Sequence, residues 1–154
     1  MTKVAILGMG TVGAGVFDAV QRSAARGSDL AVKYCLDIRG YPGAPFAPYL
    51  VHEFETVLND PEVKVVAETI GGVTFAYDYT KRLLSAGKSV VTSNKELVAT
   101  HGAELLRLAT EQNANYMFEA AVGGGIPLLR PLCQCLRANE IDEIHGILNG
   151  TTNF

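Results

Sequence analysis

Glycines at positions 8, 10 and 13, in the stretch "LGMGTVG", follow directly on the apolar run 4–7 and open a segment of helical period. That placement constrains the fold more than any other feature of the chain. A GxGxxG pattern between a strand and a helix uses its first glycine for a tight turn and its second for close approach of backbone to a pyrophosphate. The third lets helix pack closely on strand. The helix that follows points free N–H groups and a partial positive charge at the phosphates. Gly8, Gly10, Thr11, Val12 and Gly13 are therefore candidate contacts for a dinucleotide.

Short runs rich in valine and isoleucine alternate with helical segments along the rest of the chain. The pattern predicts strands at 4–7, 31–36, 63–67, 89–91 and 116–118, and helices at 12–25, 77–85 and 94–112. This alternation is the mark of an α/β fold, a doubly wound parallel sheet of the Rossmann type. Pro42, Pro45 and Pro48 make 38–50 an irregular excursion, to which the sequence assigns no chemistry, and a short helix follows near 53–58. Another helix is expected to start at Pro127 or Leu128, since the first helical N–H groups lack partners and Pro131 is then tolerated. Residues 141–148 read as a last strand. The expected organisation is a dinucleotide-binding domain over 1–130, with 131–154 as the final helix and strand that begin a second domain.

The chain has 154 residues, 48% of them hydrophobic and 19% charged, which suits one globular core and excludes a disordered tail. Its formal net charge of -3 gathers no phosphate by bulk attraction, so a phosphate site has to be built locally and nucleic acid is not an expected partner. Cys35, Cys133 and Cys135 show no metal or disulfide-framework spacing and are read as reduced thiols in or near the core. His52, His101 and His145 are scattered and read as surface or satisfied residues. No apolar run approaches the ~20 residues of a membrane span. The opening "MTKVAILGMG" leaves no room for a signal peptide. A soluble, cytoplasmic protein without a membrane partner is expected.

Asp37 ends the second predicted strand, where a carboxylate accepts hydrogen bonds from the adenosine ribose. Arg39 stands two residues on, where a guanidinium pairs with a 2′-phosphate instead. The two residues pull in opposite directions, and NAD and NADP both stay open. In open parallel sheets ligands lie beyond the carboxyl ends of the strands. The loops "ETIGG", with Ile70 and Gly71, and "TSNK" should thus face the nicotinamide end. In the second loop Ser93 to Glu96 matches a capping box, with Ser93 as the N-cap and Lys95 at the second helical position. A cation there costs ~0.3–1 kcal/mol against the helix dipole. The dipole, together with a cofactor that excludes water, favours release of a proton from an amine, the property that acid–base work needs. Lys95 is the candidate catalytic residue.

Together "TSNKELVATHGAELL", "FEAAVGGGIPLLRPL" and "GILNGTTNF" resemble the amino-terminal half of homoserine dehydrogenase, with "LGMGTVGAGV" and "ETIGG" where that family has its cofactor loops. The resemblance implies reversible, NAD- or NADP-dependent oxidation of homoserine to aspartate 4-semialdehyde, a step toward threonine, methionine and isoleucine. It implies that Lys95 lies beside nicotinamide and substrate, with Ser93 in the same cofactor loop, and that Gly150 and Thr151 lie near the bound amino acid. It also implies a sodium ion held largely by main-chain carbonyls at Glu119, Val122, Gly124 and Ile126. Members of the family continue into a substrate and dimerisation domain that carries further catalytic groups. A homodimer is expected of a full-length enzyme, and weak or absent turnover of this chain alone. Two other readings fit the residues less well: another small reductase of the same architecture, such as an aspartate dehydrogenase, and a dinucleotide-binding module without chemistry.

Overall fold

A computed structural model describes residues 1–136 and 139–146. Six parallel strands form one sheet: β1 (Thr2–Leu7), β2 (Leu30–Leu36), β3 (Leu50–Val51), β4 (Val63–Glu68), β5 (Ser89–Thr92) and β6 (Tyr116–Met117). Their order is β3-β2-β1-β4-β5-β6, so the chain runs outward from β1 in one direction and then returns to its other side. Among the described residues five α-helices connect or follow the strands: α1 (Thr11–Ala25), α2 (Phe54–Leu58), α3 (Thr74–Ser85), α4 (Lys95–Glu111) and α5 (Leu129–Cys135).

The side-chain alternation of a strand divides the core in two. From β1, Ala5 and Leu7 join a cluster with Leu83, Leu84, Leu97 and Leu105 of α3 and α4. Ile6 points the other way, to Phe17 of α1, Cys35 and Phe46. Ala5, Ile6 and Leu7 have no exposed surface, as expected for a central strand covered by helices on both faces. Each fully buried large side chain contributes ~1.5–3 kcal/mol. The proline-rich excursion packs here as well: Phe46 and Tyr49 meet Phe17 with ring centroids 5.9 and 5.5 Å apart.

The elements predicted ahead of residue 136 are present with shifted ends, and several expectations change. The strand β3 was not foreseen, because its two residues pair only with Cys35 and Leu36 and carry no periodicity of their own. The cap of α4 is Asn94, whose side chain accepts from Leu97 N–H, and not Ser93, so Lys95 occupies the first helical position. Cys133 and Cys135 are exposed, and only Cys35 is buried, because α5 buries none of its residues among the described part of the chain. No strand forms over 141–146, and the remainder of that expected strand lies outside the described residues. The boundary drawn at residue 130 falls inside α5.

Pro131 does sit in the first turn of α5, as its missing N–H requires. The N–H groups ahead of it are satisfied from a distance: the Glu119 carboxylate accepts from Leu128, Leu129 and Arg130. Those bonds, Leu128 foremost, outweigh the effect of partial burial and hold the Glu119 carboxyl below the usual glutamate range.

Candidate functional site

β1 and β4 are neighbours although β2 and β3 lie between them in sequence, which opens a crevice at their carboxyl ends. The glycine turn lies there. Gly8 has φ +87°, and a Cβ on it would fall 2.8 Å from the Thr69 carbonyl oxygen. A Cβ on Gly13 would fall 2.0 Å from the Gly8 carbonyl oxygen. Gly10 differs, since a Cβ there meets nothing within 4 Å. Two glycines are thus demanded by the fold, and one faces open space. Gly10 is also the N-cap of α1, which has no side-chain cap and no acid in its first turn. The N–H groups at Thr11, Val12 and Gly13 therefore present an uncompensated positive end. Val12 is 52% exposed, a large apolar side chain at the crevice.

The Thr69 hydroxyl lies 2.9 and 2.7 Å from the carbonyl oxygens of Leu7 and Gly8 and locks the turn against β4. The sequence reading missed Thr69. The crowding of Gly8 and Gly13 was legible, but which residue they crowd was not.

Asp37 directly follows β2 and is buried. Its carboxylate accepts from the backbone N–H groups of Met9 (2.7 Å) and Arg39 (3.0 Å) and from the Tyr41 hydroxyl (2.9 Å). The Arg39 guanidinium adds two bonds of 3.1 Å. Burial alone would raise the Asp37 carboxyl, but the bonds from Arg39, Met9 and Tyr41 overcome it and hold the group well below the usual carboxylate range. Tyr41 belongs to the excursion that the sequence left without chemistry. Its contribution is a correction to that expectation. His52 is satisfied, with Nδ1 2.7 Å from the Asp37 carbonyl oxygen.

The other two loops are joined to each other. Ile70 donates its N–H to Glu68 and accepts from the Asn94 carboxamide, which also donates to the Gly72 carbonyl. Glu68 has no exposed surface, and burial raises its carboxyl above the usual range, only partly offset by bonds from Thr92 and Ile70. Gly71 leaves open space where a Cβ would be. Ser93 is half-buried, and Lys95 is exposed at the first turn of α4.

The structure thus brings Gly8, Gly10, Thr11, Val12, Gly13, Asp37, Arg39, Ile70, Gly71, Ser93 and Lys95 to one edge of the sheet, on the turns after β1, β2, β4 and β5. Glu119, Val122, Gly124 and Ile126 follow β6 at the far side. There Val91, Met117, Ile126, Pro127 and Arg130 line a cavity of about 270 Å³. Gly150 and Thr151 lie outside the described residues. Among the described residues no group of three or more His, Cys, Asp or Glu side chains could hold a metal ion. No helix among them is long and apolar enough to cross a membrane.

A parallel sheet in this strand order, with a glycine turn at its switch point and an acid at the end of the second strand, defines a dinucleotide-binding domain of the Rossmann class. Residues 8–119 match the family described as homoserine dehydrogenase, NAD binding domain, and the chain belongs to that family. A homoserine dehydrogenase of Pseudomonas aeruginosa is 40% identical over 159 residues, covering 99% of this chain and 36% of that protein. The crystal structure of a homoserine dehydrogenase from Thiobacillus denitrificans is similar with a TM-score of 0.85 at 36% identity, over 99% of this chain and 37% of the other. A hyperthermophilic archaeal homoserine dehydrogenase in complex with NADPH is similar with a TM-score of 0.70 at 25% identity, over 85% and 47%. The chain therefore spans little more than a third of the length of the curated relatives it matches.

Proposed function

We propose that this chain is the NAD(P)-binding part of a homoserine dehydrogenase, serving hydride transfer between homoserine and aspartate 4-semialdehyde in cytoplasmic amino-acid biosynthesis. The observation that carries the proposal is the contrast among the glycines. Gly8 and Gly13 are pressed against backbone, while Gly10 opens onto an uncapped, acid-free helix start at the switch point. That cradle fits a pyrophosphate.

When bound, the dinucleotide supplies the hydride acceptor. Oxidation of a primary alcohol to an aldehyde also releases a proton, and the Lys95 amine is the group of this chain offered to hold or move it at the substrate oxygen. Gly150 and Thr151 are proposed substrate contacts. The substrate and dimerisation functions of a full-length homodimer are assigned to sequence matching the remaining two thirds of the relatives, with 131–154 leading toward it.

We read the 2′-position as accepting phosphate. An ionised carboxylate has about four lone-pair positions, and Asp37 already accepts the five bonds described above, leaving nothing for ribose hydroxyls. Arg39 neutralises that acid, and its side chain remains 62% exposed. Sodium is proposed at the main-chain carbonyls of Glu119, Val122, Gly124 and Ile126. Those of Val122, Gly124 and Ile126 accept no backbone hydrogen bond among the described residues. Oxygen ligands of this kind suit a hard cation.

Titration of the chain with NADH and NADPH, followed by fluorescence, tests the proposal. Saturable binding is expected, and absence of both removes it. Arg39→Ala should weaken NADPH far more than NADH, and equal losses defeat the 2′-phosphate assignment. Homoserine-dependent reduction of NADP tests the activity of the chain. A thermal shift with sodium that potassium at the same ionic strength does not reproduce tests the cation.

A further inference from the structure

The loops after β4 and β5 are held together by a closed ring of hydrogen bonds. Glu68 and Thr92 end their strands as direct cross-strand partners. The Thr92 hydroxyl donates to Glu68 Oε2, and the Asn94 N–H donates to Thr92 Oγ1 at 2.9 Å. Asn94 Nδ2 donates to the Ile70 carbonyl at 3.2 Å, and the Ile70 N–H returns to Glu68 Oε1 at 2.7 Å. Four residues thus close a circuit around a carboxyl group with no exposed surface.

Asn94 does two further things. Nδ2 donates to the Gly72 carbonyl at 2.6 Å, and Oδ1 accepts from Leu97 N–H at 3.1 Å as the cap of α4. One orientation of the carboxamide satisfies all three partners, because two are acceptors and one is a donor. Serine and aspartate cap helices as well as asparagine does, and threonine caps them somewhat less well. None of them can accept from Leu97 while donating to both Ile70 and Gly72. Capping therefore does not account for asparagine at this position, and the bonds to the facing loop do.

We infer that Asn94 is a positioning residue: it staples the loop after β4 to the first turn of α4, and so fixes the nicotinamide end of the crevice together with the placement of Lys95. This inference rests on the proposed function. Past Thr69 the loop after β4 is open, since a Cβ on Gly71 or Gly72 would have no neighbour within 4 Å and Gly72 takes φ +78°. The glycine turn after β1 is bonded to Thr69, at the β4 end of the same loop, through contacts in which Asn94 takes no part, and the Asp37 cluster is held through Met9. Loss of the staple should therefore affect one end of a bound dinucleotide and spare the other.

NADH and ADP-ribose, which differ by the nicotinamide, separate the two ends. Titration calorimetry of both against the chain and its Asn94→Ser variant tests the inference, since serine keeps a capping oxygen but cannot reach the facing loop. The expected result is roughly tenfold weaker NADH, the scale of losing two neutral hydrogen bonds, with ADP-ribose affinity unchanged. Equal weakening of both ligands, or of neither, overturns the inference while leaving dinucleotide binding intact. Failure of the unaltered chain to bind NADH, NADPH and ADP-ribose overturns the proposed function and the inference with it; where only NADPH binds, NADPH and 2′-phospho-ADP-ribose replace the pair and the same split is required. Should Asn94→Ser not fold, Thr92→Val breaks the same ring at a residue of equal shape, and the same split between the ligands is required.

Discussion

The Asp37 carboxylate accepts a 2.7 Å hydrogen bond from the Met9 backbone N–H, so the acid that follows β2 braces the turn that follows β1. Its reach to Arg39 and Tyr41 extends that brace into the proline-rich excursion. The glycine turn and the excursion draw on the same carboxylate.

That shared use has a pH signature. The folded Asp37 carboxyl is held below its ordinary value, so its contribution is fully present above the unfolded pKa of ~3.9 and is lost as pH falls through the folded value. Asp37→Asn should lower stability by about 2 kcal/mol at neutral pH, the scale of a bond to a charged group. The acid limb should become shallower. Urea melts of both proteins across acid pH check this, and parallel limbs contradict it.

The glycines should separate stability from binding. Gly13→Ala drives a Cβ onto the Gly8 carbonyl oxygen, and strain of this kind costs ~1–3 kcal/mol or more, a fall in Tm of several degrees. Gly10→Ala meets no neighbour and should cost within ~1 kcal/mol while obstructing the pyrophosphate. Thermal melts paired with NADH titrations should show a heat-sensitive binder in the first case and a stable non-binder in the second.

Lys95 stands at the first turn of α4, against the dipole. Lys95→Ala should raise stability by ~0.3–1 kcal/mol, leave NADH affinity little changed and abolish any homoserine-dependent turnover. Calorimetry and a coupled assay read the three quantities, and unchanged turnover removes the catalytic role.

Glu119→Ala leaves the N–H groups of Leu128, Leu129 and Arg130 without their acceptor. Amide exchange at these positions should quicken by roughly tenfold, with the glycine turn unaffected. The Glu119 carboxyl is lowered, so the unaltered protein should lose the same protection as pH falls through the folded value, which lies below the ordinary glutamate value of ~4.3.

How much of this was legible in the sequence depended on whether a residue's partner lay nearby. The glycine turn could be read because left-handed backbone and close approach leave glycine alone at Gly8. The β1, β2, β4 and β5 strands could be read because burial on both faces demands continuous apolar runs. Ser93 and Asn94 are both good caps by type, and the choice between them is made by carbonyls at Ile70 and Gly72. β3 and the Tyr41 contact come from tertiary pairing of a segment whose prolines erase any local period. Cys133 and Cys135 looked like core because cysteine is an apolar residue type, but nothing in the described chain covers α5.

Cys35 sits on β2 inside the sheet with no exposed surface, and burial pushes its thiol up to about 12, while the other two sulfurs face solvent. A thiol-selective dye should therefore react in two kinetic classes: two equivalents promptly, and a third only as often as β2 separates from its neighbours. The molecule carries its own clock for opening of the sheet, readable without any engineered probe, and a bound dinucleotide should slow it.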